Sequence, residues 1–479
     1  GGVHDDVSPL NGQTVTIEGI VTADFQLAAT SPDNVRQLRG FFIQEETSDE
    51  DGNPTTSEGI FVFTGDNFIA NNLDVQEGQK VRVTGKVSEF FGMTQIEATT
   101  AGSVTIIDAG NNLNQITPAI INLPVVGDIN DYYEQFEGMK VTFPGKLVVS
   151  EYFELARFGQ IVLTANERPF QYTHIDNTPT AAEYAAFLDN LARRRIILDD
   201  DDNTQNSPLT DGVGKIFYPQ PGGLSTGTQG VNFFRGGDSI TGLTGVLHWS
   251  FAGATGTDAW RIRPTQANPA VFTVENPRPA TPANVGGNIK VASFNVLNYF
   301  TTIDTVGGSN SPRGADSLAE FNRQTTKLVQ ALKGLNADVF GLIELENNGD
   351  APSGGAIKAL VDALNAAVGA NTYNFINTGK VGTDAITVGL IYKQNVVAPQ
   401  GSFAVLATPA FTDPNNTGQQ RNRPAIAQTF KVIDPNNPDF GETFNVVVNH
   451  FKSKSPSGAA GADLDQNDGQ GAWNNTRTK

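Results

Sequence analysis

The chain has 479 residues, 38% of them hydrophobic and 17% charged, with no cysteine and a formal net charge of −19. This apolar content excludes global disorder, and the lack of thiols excludes a disulfide framework while leaving the redox compartment open. The acid surplus argues against tight binding of nucleic acid by the surface as a whole, because that affinity comes from Lys and Arg. No apolar run reaches the ~18 residues that a bilayer span needs, and the length implies two to four domains. The chain opens Gly1-Gly2-Val3-His4, without an initiator Met or a signal-peptide pattern, as a processed or partial sequence does.

The first hundred residues read as short strands punctuated by glycine. Residues 11–23 and 77–88 alternate apolar and polar side chains at period two, and Gly40–Gln44 and Gly59–Phe63 supply two more short runs. Glycines inside such strands mark the bends that a small barrel needs at its corners. An OB-like β-barrel over 1–110 is the expectation. The pattern then recurs: residues 136–149 echo the first strand, and 238–247 echo the later one. This internal duplication predicts a second OB-like barrel over 125–272. Its longer middle carries a predicted helix at 181–195 and an acidic run from Asp199 to Asp202, whose charges are expected to pair or to solvate. Phe41, Phe90, Phe91 and Trp260 could stack on bases, although core packing is the commoner use of such rings.

The joins at 108–124 and 268–288 are rich in Asn and Pro, the second holding Pro269, Pro277, Pro279 and Pro282. Beyond residue 289 strands and helices alternate, which is α/β layering. Leu318, Phe321, Leu328, Val329 and Leu332 fall on one helical face, with Asp316 or Ser317 as the cap and Gly334 at the end. Ile357, Leu360, Val361, Leu364 and Val368 mark a second amphipathic helix. Strands are expected at 386–392, 425–432 and 444–449.

Three apolar runs in this part end on a polar group. Residues 290–298 carry Asn295, 338–344 stop on Glu344, and 444–450 stop on His450. A carboxylate at a buried strand end is costly unless a cation compensates, and Mg²⁺ is bound by one or two carboxylates with several waters retained. Asn295 could hold a phosphate oxygen or a metal-bound water, and His450 could transfer a proton near neutral pH. Each has a plainer reading: an Asn as a turn former, Glu344 beside Glu346 as a solvated edge, His450 as an ordinary structural histidine.

Ser293-Phe-Asn-Val-Leu-Asn298, Asp338-Val-Phe-Gly-Leu-Ile-Glu344 and Asn449-His-Phe-Lys-Ser-Lys454 resemble, in order and wording, motifs of the endonuclease/exonuclease/phosphatase superfamily, and the layout of the whole chain resembles its secreted bacterial nucleases. The resemblance implies two OB-like barrels followed, over 289–479, by the N-terminal part of an α/β four-layer sandwich. It implies a metal-dependent hydrolysis of phosphodiester bonds in DNA, with RNA left open, outside the cell or at its surface. Glu344 would be the metal ligand, for Mg²⁺ or Mn²⁺, and Asn295 and His450 would be catalytic. Arg423, with Arg421 as its neighbour, would meet the substrate phosphate, and Asp384 would orient His450. The family's Gly-Asp-Xaa-Asn and Ser-Asp-His segments do not occur. The resemblance therefore implies a C-terminally truncated catalytic domain with little activity alone.

Asp463-Leu-Asp-Gln-Asn-Asp-Gly469 makes Ca²⁺ a further candidate, although Gly469 falls one place late for an EF-hand loop and a solvated loop explains it as well. Asp49 to Asn53 reads the same way. Other functions open to the sequence are a phosphatase or phospholipid phosphodiesterase of the same superfamily, and a non-catalytic surface module. No protein partner can be inferred.

Overall fold

A computed structural model describes all residues except 1–6, 27–37, 201–204, 206–217, 219–222, 251–257, 266, 305–312, 408–411, 414–415 and 479. Two compact units result, one built mainly from residues 1–177 and 183–278, the other mainly from 279–479.

The first unit contains two closed barrels. Strands β1 (Thr14–Phe25), β2 (Gly40–Gln44), β3 (Gly59–Phe63), β4 (Lys80–Phe90) and β5 (Met93–Glu97) pair in the order β1-β2-β3-β5-β4, and β4 returns to β1; β6 (Val104–Asp108) adds to β4. The second barrel follows β7 (Ala119–Ile120) and α1 (Ile129–Glu134). It uses β8 (Lys140–Glu151), β9 (Ile161–Ala165), β10 (Arg195–Leu198), β11 (Ser239–Ser250) and β12 (Ala259–Arg263), in the order β8-β9-β10-β12-β11 and back to β8. Each barrel has one parallel pair at the same place, β3 with β5 and β10 with β12. The two barrels share this strand connectivity. Helices α2 (Leu155–Phe158), α3 (Tyr172–Ile175) and α4 (Ala181–Arg193) lie between β8 and β10, and α4 stops two residues short of the predicted end.

One apolar core runs through both barrels, from Phe42, Phe61 and Met93 to Val141, Leu247 and Trp249. Their backbones meet at two glycines: a Cβ on Gly59 would lie 2.4 Å from the carbonyl carbon of Gly138. Trp249 Nε1 donates to the Phe91 carbonyl at 2.9 Å, and His248 Nε2 meets the Met93 sulfur at 2.8 Å. Phe41 and Trp260 are core residues, so neither is available to stack on a base, whereas Phe90 and Phe91 are exposed at the β4–β5 turn.

A buried carboxyl sits at this junction. Glu137 Oε2 accepts from the Thr94 amide at 3.4 Å, and Oε1 is buried without a partner among the described residues. Burial, and then the neighbouring Glu134, push its pKa well above the ordinary carboxylate range, against the pull of the Thr94 amide. A raised folded pKa contributes stability while the group is protonated in both states. That contribution is lost as pH rises from the unfolded value through the folded one. Glu137→Gln stays neutral, so its urea midpoint should match the parent at pH 4 and exceed it at pH 8. Equal midpoints at both values would show that Glu137 ionises freely in place.

The second unit is layered. β13 (Val291–Tyr299), β14 (Val339–Glu346), β15 (Tyr373–Phe375) and β16 (Ile386–Lys393) form a sheet of order β13-β14-β16-β15. Helices α5 (Leu318–Leu335) and α6 (Gly355–Val368) cover one face through Leu328, Leu332, Leu360 and Leu364. A second sheet has β17 (Val397–Pro399), β18 (Ala404–Leu406), β21 (Arg423–Val432) and β22 (Thr443–His450), with the short hairpin β19 (Thr412–Asp413) and β20 (Asn416–Gln420) between β18 and β21 in the chain. Val339, Val388, Leu390, Ile426, Phe430 and Val448 pack the two sheets face to face. The described residues therefore build three layers: helices, sheet and sheet. A short helix α7 (Asn474–Thr478) closes the described chain.

Local expectations needed correction in two places. Ser317 caps α5 by accepting from Glu320 N at 3.2 Å, but Leu318 is exposed. The helix ends not at Gly334 but at Leu335, where Asn336 takes φ +49 as the left-handed terminator. Among the described residues no helix is long and apolar enough to cross a membrane.

Candidate active site

The site begins as a departure from regular pairing. β13 and β14 run parallel in register as far as Asn295 opposite Ile343, and pairing resumes only at Tyr299 opposite Leu345. On the other side of β14 the register with β16 slips at the same point, between Ile343 and Leu345. Glu344 is thus the extra residue of a bulge, at φ +69, and Leu297 and Asn298 opposite are at φ +56 and +49. Bulges re-aim side chains, and left-handed backbone at non-glycine residues persists only where its surroundings enforce it. This corrects the reading of Glu344 as a strand end: β14 continues to Glu346. It also corrects the reading of 290–298 as a buried strand, since β13 is the edge of its sheet and Asn295 is exposed.

The enforcing contacts are visible. Asn295 Nδ2 donates to Glu344 Oε1 at 2.8 Å, and Asn298 N donates to Oε2 at 3.2 Å. Leu297 N donates to Asn295 Oδ1 at 2.8 Å. Gln324 of α5 holds the bulge from below, its Nε2 donating to the carbonyls of Val296 and Leu297 at 3.0 and 2.8 Å. Glu346 accepts from the amides and hydroxyls of Thr301 and Thr302, which orders the chain leaving β13. Leu297 is 73% exposed, so its strain brings no packing in return. Leu297→Asn, a residue that tolerates the left-handed region, should raise the unfolding free energy by about 1 kcal/mol, measured in urea. A loss of stability would show that the bulge is not strained at this residue.

His450 arrives from the other sheet, at the end of β22, and its Nε2 lies 3.7 Å from Glu344 Oε1. Its Nδ1 is buried without a partner among the described residues. Burial, and then the Arg423 guanidinium, lower its pKa below the ordinary value, while Glu344 and Asp384 pull the other way. The Cα of Arg423 pairs with that of His450 across β21 and β22. Arg423 Nε donates to Asp384 Oδ2 at 3.0 Å. Asp384 therefore holds Arg423, with Arg313 3.6 Å from its other oxygen, and makes no hydrogen bond to His450. That is a departure from the expected orienting role, because the loop before β16 brings its carboxylate to the guanidinium first. Asn347 sets this loop: its Nδ2 donates to the carbonyls of Val381 and Asp384 at 2.8 and 2.9 Å.

Asn295, Glu344, His450, Arg423 and Asp384 thus meet in one place. Arg421 stands aside, its guanidinium over the Trp473 ring at 5.0 Å. Gln324 and Asn347 escaped the sequence reading, and Glu346 entered it only as part of a solvated edge. Only Asn298 carried a signal, as an Asn just past an apolar run is suited to left-handed backbone. The Ca²⁺ loop is not formed. The Asp463 carboxylate is buried and accepts from Thr476 N and Oγ1 at 2.8 and 2.7 Å, and Asp465 and Asp468 accept from backbone amides. Asp51 of the other candidate segment likewise accepts from Asn53 N.

Among the described residues no group of three His, Asp or Glu side chains could hold a metal. The Glu344 carboxylate, fixed by Asn295, fits an ion such as Mg²⁺ or Mn²⁺, since Mg²⁺ keeps most of its waters and uses substrate phosphate as well. Charge is divided along the chain. Residues 1–278 hold 35 acidic and 17 basic side chains, net −18, and residues 279–479 hold 16 and 15, net −1.

No family model and no curated protein sequence matches the chain. Several solved structures are similar to part of the chain. One is ANGEL2, described as a 2′,3′-cyclic phosphatase in complex with adenosine-2′,3′-vanadate, at 15% identity over 26% of this chain and 31% of that one, TM-score 0.19. Another is the human Nocturnin catalytic domain with bound sulfate, at 16% identity over 34% and 50%, TM-score 0.21. A third is an endonuclease/exonuclease/phosphatase from Bacteroides vulgatus, at 18% identity over 34% and 52%, TM-score 0.22. The chain spans about a third to a half of these proteins' length, and at such scores the likeness carries no argument about activity.

Proposed function

We propose that the chain is a hydrolase of phosphoesters, and more narrowly a metal-dependent phosphodiesterase acting on DNA. The observation that carries this reading is the convergence of Asn295, Glu344 and His450, from three strands in two sheets, on a carboxylate displayed by a strained bulge. Glu344 would hold Mg²⁺ or Mn²⁺. Such an ion, when bound, polarises a phosphoryl oxygen and offsets charge on the leaving oxygen. Asn295 fixes the Glu344 carboxylate, and Arg423, held by Asp384, presents a cation to the phosphate. His450 moves a proton at Nε2, the nitrogen facing Glu344. The nearly neutral balance of residues 279–479 suits a phosphate site, whereas net −18 over 1–278 gives the barrels little attraction for a polyanion. The extracellular location rests on the resemblance to secreted nucleases alone.

Cleavage of plasmid DNA and of bis-p-nitrophenyl phosphate with Mg²⁺ or Mn²⁺ tests the reading. No cleavage of either diester would end it. Release of phosphate from small monoesters in its place would point to a phosphatase.

A further inference from the structure

Beside His450, two cations close on one indole. The Arg421 guanidinium lies 5.0 Å from the Trp473 ring centroid and the Lys452 ammonium 5.3 Å from it. The ring is fully buried, its Nε1 donates to the Ser455 carbonyl at 3.0 Å, and the backbone of Trp473 is held at φ +66. A bulky residue rarely takes that conformation, so the surrounding chain must enforce it. Arg477 joins the group, its guanidinium donating to the carbonyls of Gln470 and Ala472.

The frame beneath these cations is rigid. Asn422 Oδ1 accepts from Lys452 N at 2.8 Å, and its Nδ2 donates to the Thr476 carbonyl at 2.9 Å. Thr476 in turn donates N–H and O–H to the buried Asp463 carboxylate. The entry to β21, the exit from β22 and α7 are thereby tied together. Lys452 donates to Ser453 Oγ at 3.0 Å, and no ion pair to a carboxylate is made by it among the described residues. Burial lowers its pKa, and Arg423, Arg421 and Arg477 add to that, with only Asp384 opposing. Gathering like charges costs free energy. A protein of net −19 that sets Arg421 and Lys452 against one ring, with Arg477 close by, has built a local reversal of its own sign.

We propose that Lys452 and Arg421, seated on Trp473, bind a second phosphate group of the substrate, one step along the strand from the phosphate served by Arg423 and His450. Lys452 follows His450 by two residues, at most about 7 Å of chain, a separation on the scale of one nucleotide step. The site then selects a polynucleotide strand over an isolated phosphoester. This rests on the phosphoesterase reading above, and the test keeps the two apart.

Binding of a fluorescein-labelled oligothymidylate to the full chain is measured by anisotropy in EDTA, which prevents turnover, across a series of salt concentrations. Lys452→Gln and Arg421→Gln should each weaken binding several-fold. Each should also make the slope of log K against log salt shallower by about 0.7, the loss of one phosphate contact on a single strand. Lys452→Arg should restore both. Unaltered affinity and slope in the Gln variants, with melting temperatures matching the parent, overturns the subsite. With Mg²⁺, Lys452→Gln should lower kcat/KM on the oligonucleotide more than on bis-p-nitrophenyl phosphate. An equal loss on both would place Lys452 at the reacting phosphate and overturn it as well. Binding with the expected salt response but no hydrolysis of any substrate would uphold the subsite and remove the catalytic reading.

Discussion

Alanine at His450 is expected to lower kcat for phosphodiester cleavage by about 10²–10⁴-fold, the usual contribution of a positioned acid–base group. His450 is the histidine at the site, and its Nε2 faces Glu344, the carboxylate proposed to hold the metal. The other three histidines fall in residues 1–278. Its buried Nδ1 has no partner among the described residues, so none of their hydrogen bonds to that nitrogen explains its position. Oligonucleotide affinity in EDTA should change little, because the neighbouring cations remain. His450→Gln, which preserves volume and polarity, should lose as much rate as His450→Ala. Cleavage that survives both variants would assign the histidine a packing role and end its part in the chemistry.

Asp199→Asn is expected to destabilise the barrel unit by about 3–5 kcal/mol, as breaking a buried ion pair does. Asp199, Arg261 and Arg263 are at most 1% exposed. Arg261 donates to Asp199 Oδ2 at 2.6 Å and to Gln160 Oε1 at 2.8 Å, and Arg263 approaches the same carboxylate oxygen at 3.4 Å. Arg263 Nε also donates to His248 Nδ1 at 2.9 Å, so that imidazole is held neutral with its proton on Nε2. Burial and the two guanidinium groups push its pKa well below the ordinary value. The amide keeps the shape of the carboxylate and deletes its charge, leaving both guanidinium groups without that counter-charge in a region closed to water. Urea unfolding followed by the emission of Trp249 and Trp260 would report it. The two compact units can unfold separately, so the barrel transition has to be fitted alone. A change below about 1 kcal/mol, the worth of an exposed pair, would mean that water reaches the cluster.

This ion pair shows where sequence reading stopped. The run Asp199–Asp202 stands close in sequence to Arg193–Arg195, and the local pattern leaves these charges to pair or to solvate. Asp199 pairs instead with Arg261 and Arg263, brought alongside by the parallel contact of β10 with β12. Arg193 turns to Asp189 on its own helix and to the carbonyl of Gly127. Nothing local distinguishes a charge that will be buried from one that will be solvated. The same holds for Asp384, which the resemblance assigned to orienting His450 and which the fold gives to Arg423. Glu344 was legible as a polar group closing an apolar run, but its bulge was not, because β14 pairs on both sides and the slip is a property of three strands together.

The sequence by itself determined the duplicated barrel pattern, the change to α/β layering after residue 289, and the three segments that carry Asn295, Glu344 and His450. These follow from the period of apolar residues and from turn chemistry, which act over a few neighbouring positions. Only the tertiary structure decided that β22 lies in a different sheet from β13 and β14, that the bulge turns Glu344 toward His450, and that Arg421 and Lys452 share the face of Trp473. Those outcomes depend on sheet packing and on contacts between residues far apart in the chain, such as Glu344 with His450 and Arg421 with Trp473. At that distance the partner of a charged or polar side chain is chosen by the fold and not by its neighbours.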